Sequence, residues 1–221
     1  MNEFIEIFSS SEPSSISTGV RLLLLLTIFS LAPSILILMT SFTRTIIVLS
    51  FVRTSLATQQ MPPNQVLIGI ALFLTFFIMA PTFSQIYDDA LQPLFAEEIT
   101  LDEAYDRASI PMKEFMAKHT RQKDLALFMR YSDVDGVESI EDIPLTTLVP
   151  AFAISELKTA FQMGFMIFIP FLIIDMAVAS VLMSMGMMML PPVMISLPFK
   201  ILLFVLVDGW HLITHSLLDS F

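Results

Sequence analysis

The sequence predicts an all-α, membrane-associated fold: two proline-broken helical hairpins with a small acidic helical insert between them. Three observations carry that expectation. Four apolar runs approach or exceed the ~20 residues that cross a bilayer core at ~1.5 Å of rise each. Two of the connections between them carry a double proline, Pro62-Pro63 and Pro191-Pro192. Charge is concentrated elsewhere: residues 84–148 hold fourteen Asp or Glu against six Lys or Arg, a balance of −8 within a chain of net charge −10.

Composition supports the class. Of 221 residues, 55% are apolar, with sixteen methionines and twenty phenylalanines against six glycines, and mean hydropathy is +0.78. The acidic balance leaves no basic patch to neutralise phosphates, which argues against a nucleic-acid partner. Without cysteine there is no disulfide, thiol nucleophile or thiolate metal site.

The first nineteen residues, with Glu3, Glu6 and Glu12, read as a flexible acidic tail, lacking the basic start and cleavage site of a signal peptide. Residues 20–83 form the first hydrophobic hairpin. Its first run, Val20 to Met39, contains Pro33, where a bend is expected because the ring removes a hydrogen bond and crowds the preceding turn. Arg44 and Arg53 are the only charges from Ser41 to Gln65. Pro62 and Pro63 end that segment, Asn64 is placed to cap the next helix, and Val66 to Phe83 is expected to break near Pro81.

Residues 84–148 form the acidic helical insert. Thr100-Leu101-Asp102-Glu103 fits a capping box, and Ser109 ahead of Pro111 resembles a second helix start. Met112 to Tyr131 shows an approximate helical face. Residues 149–221 form the second hydrophobic hairpin, with runs Ala160 to Leu182 and Val193 to Leu218 joined by a methionine-rich turn. Arg44 and Arg53 between the first two runs place that loop in the cytoplasm, and the insert and both termini outside. An outward N-terminus without a visible signal is consistent with removal of an upstream segment.

The methionine turn, Ser180 to Pro192, sets Met183, Met185, Met187, Met188 and Met189 around Gly186. Thioether side chains are unbranched and polarisable, so they either fill gaps in a buried turn or form a surface that fits many shapes. Pro191 and Pro192 prevent the preceding helix from continuing. A faint internal repeat relates VLSFVRTSLATQQMPP to VASVLMSMGMMMLPP, with a further apolar segment after each.

Ionisable residues within apolar runs need a partner. Glu156, Lys158, Asp175, Lys200 and Asp208, within or bordering the last two runs, form such a set, and Glu156 is expected to pair with Lys200, within the chain or between subunits. Asp208, His211, His215 and Asp219 share a helical face; a metal site and a polar interface both fit, although Leu212 stands where a zinc-protease motif needs glutamate. The loop around Asp133, Asp135 and Glu138 lacks the ligand positions of an EF-hand. No catalytic arrangement is present, and Asp175 with Asp208 has no supporting protease motif. No cofactor is expected. On the residues alone, a protein-conducting subunit and a small-solute or ion transporter using the intramembrane charges both remain open.

TSFTR (Thr40 to Arg44), PPNQVLIGIALFLTFFIMAPTF (Pro62 to Phe83), SELKTAFQMGFMIFIPFLIIDMAVASVLMSMGMMMLPP (Ser155 to Pro192) and LPFKILLFVLVDGWHLI (Leu197 to Ile213) closely resemble the FliP family. These are flagellar biosynthesis proteins of the bacterial type III export apparatus, related to SctR of virulence secretion systems. The DGW motif resembles the flagellar branch. The resemblance implies a core subunit of the export gate in the bacterial inner membrane at the flagellar basal body, with the insert periplasmic. It further implies a homopentamer with FliR and FliQ, alongside FlhB, in contact with lipid and passing unfolded flagellar proteins. The hairpins would assemble into a cone, with Met187, Met188 and Met189, flanked by Met185, forming a gasket around the pore. Members of the family commonly carry a cleaved signal sequence, which this chain does not show.

Overall fold

The computed structural model describes residues 13–58, 60–132, 139–187 and 190–221. The expected tail up to Glu12, the Asp133–Glu138 stretch of the acidic loop, and Met188 and Met189 lie outside the described residues. The described residues are helical, with no strand among them. Two compact units are present, residues 1–37 and 38–221.

Helix α1, Pro13–Met39, begins ahead of the expected start at Val20 and carries Pro33 within it. In the larger unit follow α2 (Phe42–Ser55), α3 (Asn64–Ile86), a π-helical turn (Tyr87–Leu91) and the short α4 (Gln92–Phe95). The acidic segment supplies α5 (Leu101–His119), α6 (Gln122–Tyr131) and a 3-10 turn (Ile140–Asp142). The chain closes with α7 (Leu145–Ser184), α8 (Pro192–Leu206) and α9 (Gly209–Asp219). Two stretches, Asn64–Phe95 and Leu145–Ser184, are each long and apolar enough to cross a membrane, and two bent helix pairs raise the number to as many as four.

The prolines do less than expected. Pro81 does not end α3, Pro111 does not divide α5, and α7 runs through Pro150 and Pro170 for 40 residues. Ending a helix leaves about four carbonyls without partners, whereas an internal proline removes one bond, so a continuous helix leaves fewer groups unpaired, most consequentially in the apolar α3 and α7. Ser109 therefore starts no helix; its hydroxyl donates back to the Asp106 carbonyl at 2.8 Å. Thr100 does cap α5, accepting from the Glu103 N–H at 3.3 Å, while the Glu103 carboxylate turns to Arg107 at 2.7 Å. Asn64 is not the cap expected of it: Pro63 takes that position, and the Asn64 side chain accepts from Arg53 at 2.5 Å.

Where a proline pair follows a helix end, it does start the next helix. Both hairpin tips share one spacing: a terminal serine (Ser55, Ser184), a left-handed residue two places on, and prolines seven and eight places on. The left-handed residue is Ala57 (φ 57°) in the first tip and Gly186 (φ 73°) in the second. In the helices that follow, the buried stripe Leu67, Ala71, Thr75 corresponds in the same register to Ser196, Lys200, Phe204. The faint repeat in the sequence is thus a repeat of the spacing of the tip residues and of the buried positions that follow.

Helices α2 and α7 pack closely, because Val48, Leu49 and Val52 on α2 are buried. At their crossing Gly164 faces Phe51: a Cβ there would lie 2.4 Å from the ring, which also meets Phe161 edge-on at 5.5 Å. Small residues at such crossings let helices approach. The acidic helices share a core with the start of α7, where Met116, Ile143, Leu148 and Phe152 cluster. The expected boundary at residues 148/149 accordingly falls inside the first turns of α7.

Gly164→Ala is expected to destabilise the unit by about 1–3 kcal/mol through overpacking against Phe51. Thermal unfolding of the detergent-solubilised protein checks this, and adding Phe51→Leu should restore most of the loss.

Candidate functional site

The methionine turn opens on a capped helix end. Helix α7 ends at Ser184, and Gly186 enters the left-handed region that side-chain-bearing residues disfavour. The Gly186 N–H donates to the Met183 carbonyl at 3.1 Å and the Met187 N–H to the Leu182 carbonyl at 3.0 Å. Those two bonds form a Schellman cap, which satisfies carbonyls left over at the helix end. Ser184, the one hydroxyl of the turn, folds back onto the Val181 carbonyl at 2.7 Å. The side chains left outward are apolar: Met183 is 61% exposed, Met185 67% and Met187 41%. Pro191 then caps α8, and Pro192 is its first residue. The exposed thioethers of Met183, Met185 and Met187 present no fixed donor or acceptor pattern, and can conform to apolar or irregular surfaces.

The buried charges behind this tip do not pair as the sequence suggested. Glu156 does not reach Lys200 within the chain; it receives Arg44. Arg44 Nε donates to Glu156 Oε2 at 2.9 Å and Nη2 to Oε1, forming a fork, with the two side chains 3% and 0% exposed. Lys200 Nζ donates to Asp175 Oδ2 at 2.6 Å and to the Ser55 carbonyl at 3.1 Å, while Ser196 Oγ donates to Asp175 Oδ1 at 2.5 Å. Helix geometry explains the difference. Glu156 and Asp175 lie on the one helix α7, separated by about 28 Å at ~1.5 Å per residue. A lysine that reaches one cannot reach the other.

These clamps differ in what they join. Lys200 on α8 ties Asp175 on α7 to the last turn of α2, so it links the second hairpin to the helix end at the first tip. Arg44 on α2 ties α7 to the last residues: Nη1 donates to the Ser220 carbonyl at 2.6 Å and Ser220 Oγ at 2.9 Å, and the guanidinium lies 3.7 Å from the Phe221 ring centroid. Phe221 also stacks on Phe115 at 6.2 Å, and Lys118 Nζ donates to its carbonyl oxygen at 3.0 Å. Sequence reasoning missed Arg44, Ser196 and Phe221 as site residues. One signal for Arg44 was available: no acidic residue occurs between Pro13 and Tyr87, so a buried arginine there needs a distant carboxylate.

Asp208 sits apart from both clamps. It takes a left-handed conformation (φ 52°) between α8 and α9, which bend by 63°, and its exposed carboxylate makes no cap bond. Gly209 follows because a Cβ there would lie 2.4 Å from Phe204, whose ring Trp210 meets edge-on at 5.3 Å. On α9, His215 Nδ1 lies 2.7 Å from Asp219 Oδ2 in the open, and no three-ligand metal cluster occurs among the described residues.

Glu156→Ala is expected to destabilise the fold by about 3–5 kcal/mol, because Arg44 is left buried without its carboxylate. Replacing both members with a packed apolar pair should cost markedly less in the same denaturation experiment. His119 adds a pH dependence. Burial, then the positive charges of Arg44 and Lys118, lower its pKa to about 4 from an ordinary 6.5. The unfolded chain takes up this proton below about 6.5 and the native chain only near 4, so stability is full above 6.5 and falls with pH across that window. Hydrogen-exchange protection in α5, taken relative to the intrinsic exchange rate at each pH, should fall between pH 6.5 and 4, and His119→Phe should flatten that response.

Comparison with known proteins follows the same lines. The model of the FliP family matches residues 25–217. The Flagellar biosynthetic protein FliP of Bacillus subtilis (strain 168) is 79% identical over the full length of both chains. The protein of that name from Pectobacterium carotovorum subsp. carotovorum is 54% identical, covering 92% of this chain and 79% of its own. That from Aquifex aeolicus is 50% identical, covering 97% and 94%. With a match this long, on a chain whose apolar helices suit a membrane location, the chain belongs to the FliP family.

Proposed function

We propose that this chain is a core subunit of the bacterial flagellar type III protein export gate, forming part of a pore through which unfolded flagellar proteins cross the inner membrane. The observation that carries this reading is the capped tip with exposed Met183, Met185 and Met187 in a chain of the FliP family. Several copies bring their tips to a common axis, where Met185, Met187, Met188 and Met189 close a narrow, dry constriction. Thioethers exclude ions and water while the gate is empty and rearrange around a polypeptide of changing width. Sequence-specific recognition would be a handicap for such a pore, and the tip offers none.

The gate is a pentamer of this subunit with FliR and FliQ, in contact with FlhB, assembled as a cone at the flagellar basal body, with residues 84–148 on the periplasmic side. The two charge clamps support this reading by holding the hairpins in fixed register, so that every copy presents its tip at the same height. Pro62, Pro63, Pro191 and Pro192 serve the same end by fixing where each tip turns. A small-solute or ion transporter would use Asp175, Lys200 and Asp208 along a pathway. Asp175 is instead closed off by Lys200 and Ser196, and Asp208 stands away from both.

Replacing Met187, Met188 and Met189 together with alanine should raise ion conductance across a membrane containing the assembled complex, by widening the constriction. Single-channel or proton-leak recording reads this directly. Unchanged conductance in a properly assembled complex would overturn the gasket.

A further inference from the structure

The tip of the first hairpin holds a recess of about 670 Å³ lined by Arg53, Gln60, Met61, Pro63, Asn64 and Gln65. Its charge is unanswered. Arg44, Arg107, Arg121 and Lys200 each end on a carboxylate; Arg53, like Lys113 and Arg130, has no carboxylate partner among the described residues. Its Nη1 donates to Asn64 Oδ1 at 2.5 Å and reaches the Pro62 carbonyl at 3.5 Å. The contact with Asn64 occupies that amide's oxygen and leaves its NH2 as a donor. Gln60 and Gln65 contribute two further amides, and no acidic residue lines the recess among the described residues. The site is thus rich in donors, carries one positive charge and lacks a counter-ion.

An exposed apolar face begins at the same place. Met61 is 68% exposed at the rim, and Val66, Phe73, Phe76 and Phe77 continue outward along one face of α3, which starts a stretch long and apolar enough to cross a membrane. A cationic, donor-lined cup at the end of an apolar helix face matches one amphiphile: an anionic headgroup with acyl chains attached. A soluble anion would satisfy the cup and leave the face without a role.

We propose that this recess binds the phosphate of an anionic phospholipid. Arg53 supplies the charge, the amides of Gln60, Asn64 and Gln65 donate to the phosphate oxygens, and the acyl chains lie along the exposed face of α3. Bidentate, charge-assisted bonds favour arginine over lysine at a phosphate. A basic residue near an anionic membrane surface is worth roughly 1 kcal/mol, which is about fivefold in binding.

Native mass spectrometry of the full chain in its detergent-solubilised complex, with phosphatidylglycerol or phosphatidylcholine added, tests the proposal. The complex should retain phosphatidylglycerol in preference to phosphatidylcholine. Arg53→Gln should reduce that preference about fivefold, Arg53→Lys should reduce it less, and Arg107→Gln, on an exposed pair in the acidic segment, should leave it unchanged. Should Arg53→Gln fail to fold, Gln60→Glu places a carboxylate in the recess and should reduce the preference equally. Undiminished preference in either recess variant overturns the proposal. Displacement of the bound lipid by millimolar inorganic phosphate would assign the recess to a free anion and overturn the lipid. Dissociation of the complex with lipid retention intact would assign Arg53 to a carboxylate on a partner protein, which also overturns it.

Discussion

Charge neutralisation inside an apolar frame is the constraint on which the rest of the structure depends. A buried cation in such surroundings is tolerated only when an anion and further hydrogen-bonding groups surround it. Lys200 meets that condition by holding Asp175, with Ser196 completing the carboxylate and the Ser55 carbonyl completing the ammonium. The requirement does more than stabilise. The three partners lie on α7, α8 and the end of α2, so satisfying them together restricts how those helices can sit. Electrostatics thus adds to the apolar register already set by Gly164 against Phe51.

Arg44 imposes the same logic at the other end of α7. Its fork with Glu156 fixes α2 against α7, and its face against Phe221 brings the last residues to the acidic helices through Phe115 and Lys118. The acidic segment is consequently no loose appendage: its helix α5 shares buried side chains with α7 and a contact with the end of the chain.

What was legible in the sequence was local. The length of the apolar runs gave the helical class, Gly186 and the double prolines gave the shape of the tips, and Thr100 gave the start of α5, because each depends on residues within a few positions. The internal prolines were misread for a related reason. A ring's local cost is visible in sequence, whereas the greater cost of ending a helix in apolar surroundings depends on what lies around it. The ion pairs were beyond reach of spacing alone. Arg44 and Glu156 stand 112 residues apart, and Lys200 had two carboxylates of α7 to choose between, 19 residues from each other. The gate reading rests on family resemblance, and neither periodicity nor composition distinguishes it from a transporter.

The central claim is that the methionine tips of several copies converge on one axis. Replacing Met187 with cysteine in the otherwise cysteine-free chain, and cross-linking the assembled complex with a short bifunctional thiol reagent, tests it most directly. Convergence predicts a ladder of covalently joined copies of this subunit. Cysteines that react with lipid-soluble reagents but never join one copy to another would place the tips outward and contradict the account.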